Sequence, residues 1–124
     1  MGIFSLRLIL KALITEQGRL LQRSAITFIC LDRPITRTWD YVSQILATPD
    51  YCTDNSEGFT EPCLYSITEN HYIILLRTGS GQPCYIAHSY DKGKSWEDFE
   101  VFSDFGVDPQ LVPLIGDTLF VSYG

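Results

Sequence analysis

The chain repeats itself, and that constrains its fold more than any other feature. Residues 61–76 (EPCLYSITENHYIILL) align without gaps to residues 108–123 (DPQLVPLIGDTLFVSY) at a shift of 47. Glu61 meets Asp108, Pro62 meets Pro109, Leu64 meets Leu111, Ile67 meets Leu114 and Asn70 meets Asp117. An earlier copy, ITEQGRLL at 14–21, matches ITENHYII at 67–74 at a shift of 53. A further pair, RTWDYV around Trp39 and KSWEDF around Trp96, recurs at a shift of 57. Self-similarity at such a spacing means that one supersecondary unit is laid down several times, each copy burying its apolar face against the next.

Each copy reads as two strands joined by a tight turn, with turn residues Gln17-Gly18, Asn70-His71 and Gly116-Asp117 between β-branched and apolar flanks. A second hairpin follows at 27–31 to 38–42, and another at 84–89 to 95–102. Strands with turn signals about every 8 to 12 residues and no convincing helix predict an all-β chain. A four-stranded unit of this length has the period of a propeller blade. On that reading residues 1–57 are an incomplete first blade, 58–105 a complete one, and 106–124 the first two strands of a third. Closed propellers need roughly four to eight blades. The expectation is therefore a fragment of about two and a half blades, with the remaining blades missing and a strand edge open to a partner.

Composition narrows the partners. With 45% apolar and 13% aromatic residues in 124, the chain can bury a core as one small globular domain. A net charge of −6 with no basic stripe argues against nucleic acid. The apolar segment 3–14 is too short to span a bilayer and is interrupted by Arg7 and Lys11. No small-residue cleavage site follows it, so neither a signal peptide nor a membrane role is expected. The compartment stays open, with a cytoplasmic setting slightly favoured. The four cysteines, at 30, 52, 63 and 84, form no CxxC pair and have no histidine at zinc-site spacing. Cys30, Cys63 and Cys84 sit in apolar runs, where a free thiol acts as a small hydrophobe. Neither a metal nor a cofactor is expected.

The stretch SYDKGKSW, residues 89–96, falls between the third and fourth strands of the complete unit. Gly93 supplies a positive φ at the turn tip. Ser89 and Asp91 offer hydrogen bonds to loop backbone that would otherwise lack partners. Trp96 folds back as an apolar cover. Every member has an architectural job.

This S-x-D-x-G-x-x-W pattern resembles the Asp-box of the sialidase-like (BNR-repeat) propellers, which implies a six-bladed fold. The earlier copy, DRPITRTW at 32–39, keeps an acid and Trp39 but lacks the glycine. Residues 58–96 as a whole look like a sialidase blade from entry loop to Asp-box. The resemblance implies a catalytic role for Glu61, polarising a tyrosine nucleophile, and places Arg77 among the arginines that grip the carboxylate of sialic acid. Asp108, in the Glu61 place of the next unit, faces the same rim as a further substrate contact. The chemistry suits these types. A guanidinium captures a carboxylate bidentately and stays charged, and a tyrosine hydroxyl needs a neighbouring base to become nucleophilic. Glu61 opens one strand and Arg77 closes the next, so an antiparallel hairpin brings both to one end.

Several family parts are absent: two further arginines, an acid/base aspartate and the tyrosine. No R-I-P triplet occurs, and RPI at 33–35 does not count as one. The expectation is part of a sialidase-like exo-glycosidase acting on terminal acidic sugars of glycans, inactive as this fragment. The rival is a non-catalytic carbohydrate-binding or protein-interaction propeller. Tyr123 reads as a strand residue, His71 as a solvated turn residue and His88 as a satisfied core or rim histidine. The loop 77–83 leads into a strand and not a helix, so its phosphate-binding signal is weak.

Overall fold

A computed structural model of the chain describes residues 7–8, 26–33, 38–46, 51 and 56–124. The copy at 14–21 with its Gln17-Gly18 turn, and Cys52, lie outside the described residues. All regular structure among the described residues is strand: β1 (Arg7–Leu8), β2 (Ile26–Arg33), β3 (Thr38–Leu46), β4 (Thr60–Ser66), β5 (Tyr72–Arg77), β6 (Cys84–Ser89), β7 (Glu97–Ser103), β8 (Gln110–Pro113) and β9 (Leu119–Ser122). The strands form three antiparallel sheets, ordered β1-β2-β3, β4-β5-β6-β7 and β8-β9.

Burial follows from position in the ladder. YIILLR in β5 is buried at every residue because β4 and β6 flank it and its two faces are both covered. β7 is the edge of its sheet and exposes three acids, Glu97, Asp98 and Glu100. The core gathers Phe59, just before β4, with Ile74, Leu76, Tyr85 and Ala87 of the second sheet around Ile45 of β3. Tyr51, Phe59, Tyr85 and Phe99 line it with rings 5.1–6.1 Å apart, in stacked and edge-on pairs.

The repeat is a geometric one. Ser66 pairs Tyr72 and Leu64 pairs Ile74 in the second sheet, and Pro113 pairs Leu119 and Leu111 pairs Val121 in the third, each at the same offset. The N–H of Ile67 donates to the carbonyl of His71 at 2.8 Å, and that of Leu114 to Thr118 at 2.9 Å. Glu61 and Asp108 both adopt left-handed backbone, φ 43° and 47°. The connections are five-residue loops, 67–71 and 114–118, and not the two-residue turns expected at Asn70-His71 and Gly116-Asp117. The first ladder stops at Ser66–Tyr72 because the Thr68 hydroxyl takes the His71 N–H at 3.0 Å, closing the loop from within.

β4 is where the sheets meet. β1, β2 and β8 all pack against it. The Leu111 N–H points to Cys63 Sγ at 3.2 Å across the β4–β8 contact. Trp96 is half-buried, and it joins two sheets as well as covering its own hairpin. Its indole N–H donates to Ser43 Oγ on β3 at 3.2 Å, and the Ser43 hydroxyl donates in turn to the Gly93 carbonyl.

Candidate functional site

Thr60 and Arg77 are direct partners at the end of the β4–β5 ladder. The register slips between Thr60 and Cys63, where Glu61 takes its left-handed φ, so the strand bulges there. A bulge re-aims a side chain that regular pleating would send elsewhere. Here Glu61 Oε1 lies 3.3 Å from Arg77 Nη1. The same Nη1 donates to Glu57 Oε2 at 2.9 Å. Glu57 is placed by the segment before β4, laced to the end of β5: its N–H reaches the Thr78 carbonyl at 2.7 Å, as does the Ser56 hydroxyl at 2.8 Å.

The Arg77 side chain is only 10% exposed, against 48% for Glu57 and 35% for Glu61. A buried cation thus faces two half-exposed carboxylates, the arrangement that a desolvated guanidinium needs. Arg77 Nε is buried with no hydrogen-bond partner. Behind the cation, at its partner position on β6, stands Cys84, whose thiol is pushed up by burial, with Arg77 pulling the other way. Burial likewise raises the Cys63 thiol, so neither cysteine is poised as a nucleophile.

Glu61, Arg77 and Asp108 are brought together. Asp108 does so by its backbone: its N–H donates to Glu61 Oε2 at 2.7 Å, while its carboxylate accepts from the Gln110 amide at 2.9 Å. Both oxygens of Glu61 are therefore engaged. Glu57 is the member that sequence reasoning passed over; its only signal was an acid in the loop just before Gly58.

The SYDKGKSW turn is built as a closed hydrogen-bond circuit. Ser89 Oγ donates to Asp91 Oδ1 at 2.9 Å and accepts the Gly93 N–H at 2.8 Å. Asp91 also takes the N–H and the hydroxyl of Ser95, at 2.9 and 2.7 Å. Those Ser95 bonds, more than any other cause, pull the Asp91 carboxyl down to about 2. Gly93 has φ 81°, as its place at the tip requires, and Lys92 beside it is left-handed too, at 64°. Lys92 fastens the turn to the β4–β5 loop through its N–H to the Asn70 carbonyl at 3.1 Å and its ammonium to Glu69 at 2.7 Å. All these polar groups serve the turn itself. Ser95 was not anticipated, since a serine between lysine and tryptophan carries no signal of its own.

The two histidines depart from expectation in one respect. His71 is not a solvated turn residue. It is half-buried, with Nε2 2.9 Å from His88 Nδ1, and its ring stacks on Tyr90 at 4.6 Å. His88 is satisfied by that bond. Tyr123 follows β9 and packs edge-on against Phe102 and Phe105. The loop 77–83 carries Gly79 and Gly81 at positive φ and leads into β6. Among the described residues no three His, Cys, Asp or Glu side chains converge as metal ligands. No family model, curated protein or solved structure matches the chain.

Proposed function

We propose that the chain is part of a β-propeller of the sialidase-like, Asp-box type, and that the rim formed by Glu61 and Arg77 contacts a glycan carrying an acidic sugar. Support for the architecture comes from the third sheet, which restates the register, the left-handed acid and the loop hydrogen bond of the second. Its first strand lies beside β4, and Tyr123 packs on Phe102 of β7. Successive sheets with first strands side by side are how blades stand around an axis.

The observation that carries the functional reading is the Arg77 guanidinium 3.3 Å from Glu61 at one end of the hairpin. Arg77 supplies the fixed positive charge that a sugar carboxylate needs. In the hydrolytic version Glu61 would draw the proton from a tyrosine supplied by another blade. A second reading, recognition without hydrolysis, is favoured by how Glu61 is held. Its two oxygens are already taken by Arg77 and the Asp108 N–H, and Glu57 adds a second acid beside the cation. The geometry therefore supports glycan binding by this chain over glycosidic cleavage by it.

The test is a titration of the chain with sialic acid and with a neutral methyl galactoside, followed by backbone amide NMR shifts. Shifts at Glu61, Arg77 and Asp108 are expected for the acidic sugar only. Glu57→Gln should tighten that binding by removing a competing carboxylate, and Arg77→Lys should weaken it. Equal responses to both sugars, or none to either, would refute the reading. Release of a fluorogenic aglycone from an aryl sialoside in the same samples would restore the hydrolytic version.

A further inference from the structure

At the opposite end of the second sheet from Arg77, two imidazoles meet head-on. His71 Nε2 and His88 Nδ1 are 2.9 Å apart, while the ring centroids are 5.3 Å apart. The centroid separation exceeds the nitrogen separation by about two ring radii, so the rings are set edge to edge along the hydrogen bond. Their facing nitrogens point at each other and do not converge on a third point, as the ligands of one metal ion must. We propose that this pair is a proton-sharing dyad that makes the contact between the β4–β5 loop and the SYDKGKSW turn sensitive to pH.

The dyad holds one proton between its rings. One ring donates and the other accepts, the direction being set by their tautomers. A first added proton keeps the bond, because an imidazolium still donates to a neutral imidazole. A second leaves an N–H on each facing nitrogen, with no acceptor and two like charges about 3 Å apart. The doubly charged pair has to separate. Imidazole is the side chain that charges in this pH range.

The surroundings bear on that outcome. Glu97 lies opposite His88 on β7, and Ile73 opposite it on β5. Tyr90 stacks on His71 and gives its hydroxyl to Asp98 at 3.2 Å. Glu69 and Lys92 are paired to each other, with Tyr72 near them. Glu97 can stabilise one cation on His88, whereas the ring packed on His71 is the neutral Tyr90. By its geometry the closed pair has room for one added proton, and the opened pair for two. The sign follows: the folded contact binds fewer protons, so it weakens as pH falls.

What the dyad secures is specific. It ties the loop to the end of β6, beside the His71–Tyr90 stack, the Lys92 N–H to Asn70 carbonyl bond and the Lys92–Glu69 pair, which link the loop to the turn. Opening it frees the 67–71 loop while β4–β7 remain paired. Amide hydrogen exchange of the whole 124-residue chain between pH 7 and 5 tests this, after correction for intrinsic exchange. The opening constant at the Lys92 and Ile67 N–H groups should rise about tenfold per pH unit below pH 6, the slope for one proton. Core amides of β5 should not follow. His71→Gln, whose amide still reaches His88, should keep protection at pH 7 and lose the slope. A flat profile in the native chain, or an unchanged slope in His71→Gln, would overturn the proposal.

Discussion

The backbone N–H of Asp108 donates to Glu61 Oε2 at 2.7 Å, so the two acids that occupy equivalent places in successive repeats are joined directly. Both stand before proline, and both are left-handed. Their side chains nevertheless do different work. Glu61 compensates Arg77 and clasps the next hairpin, whereas the Asp108 carboxylate reaches no further than Gln110.

Backbone strain common to the two positions can be separated from the clasp by replacing each with glycine, which accepts positive φ freely. Asp108→Gly should leave stability within about 0.5 kcal/mol. Glu61→Gly should lower it by about 1–3 kcal/mol, since it removes hydrogen bonds to a charged group and leaves Arg77 with Glu57 alone. Urea denaturation of the two variants checks the contrast; equal effects would mean that the clasp contributes nothing.

Trp96 connects two sheets through Ser43, which relays to the Gly93 carbonyl. Trp96→Phe keeps most of the apolar cover and loses the indole donor, for about 1 kcal/mol. Trp96→Ala should cost ~2–3 kcal/mol, below the fully buried range because the ring is half-exposed. If Ser43→Ala is combined with Trp96→Phe, the losses should fall short of additivity, because both remove the same bond. Strict additivity in thermal melts would deny the link.

Asp91 gives the turn an acid limit. Its folded carboxyl is held at about 2, against a usual value of 3.8. A depressed folded value means that the contribution is complete above the unfolded value and is lost as pH falls through the folded one. Stability should therefore drop between about pH 4 and pH 2. Asp91→Asn should be less stable than the native chain at pH 7 and should show a smaller drop over that interval. This window lies below that of the histidine dyad, so the two transitions can be told apart in one pH series.

Gly106 is buried, and a Cβ there would stand 2.7 Å from Cys84 Sγ and 3.3 Å from the Tyr123 ring. Gly106→Ala should destabilise the chain by about 1–3 kcal/mol through overpacking. Cys84→Ala removes the obstructing sulfur, so the double variant should recover part of that loss. No recovery would show that the Tyr123 side of the contact sets the penalty.

The repeat, the hairpins and the meeting of Glu61 with Arg77 were legible in the chain because each depends on short spacing. Two residues sixteen apart across a hairpin are brought together by strand pairing alone. The architectural reading of Ser89, Asp91 and Gly93 was legible for the same reason: their bonds close within seven residues. The length of the loops was not, since it turns on a threonine hydroxyl competing with the ladder.

Glu57 on Arg77, Ser43 under Trp96 and His71 against His88 were beyond local reading. Ser43 and Trp96 are 53 residues apart, on different sheets, and no pattern in either segment names the other. By itself, then, the order of residues determined strand identity, hairpin pairing and the turn chemistry, because apolar β-branched runs and left-handed turn positions act over a few bonds. Only the tertiary structure decided which groups share a proton, which acids neutralise the buried guanidinium and how neighbouring sheets are clasped. The links between sheets, Trp96 to Ser43 and Asp108 to Glu61, depend on how whole sheets lie against each other, a sum of many weak packing terms that no short stretch encodes.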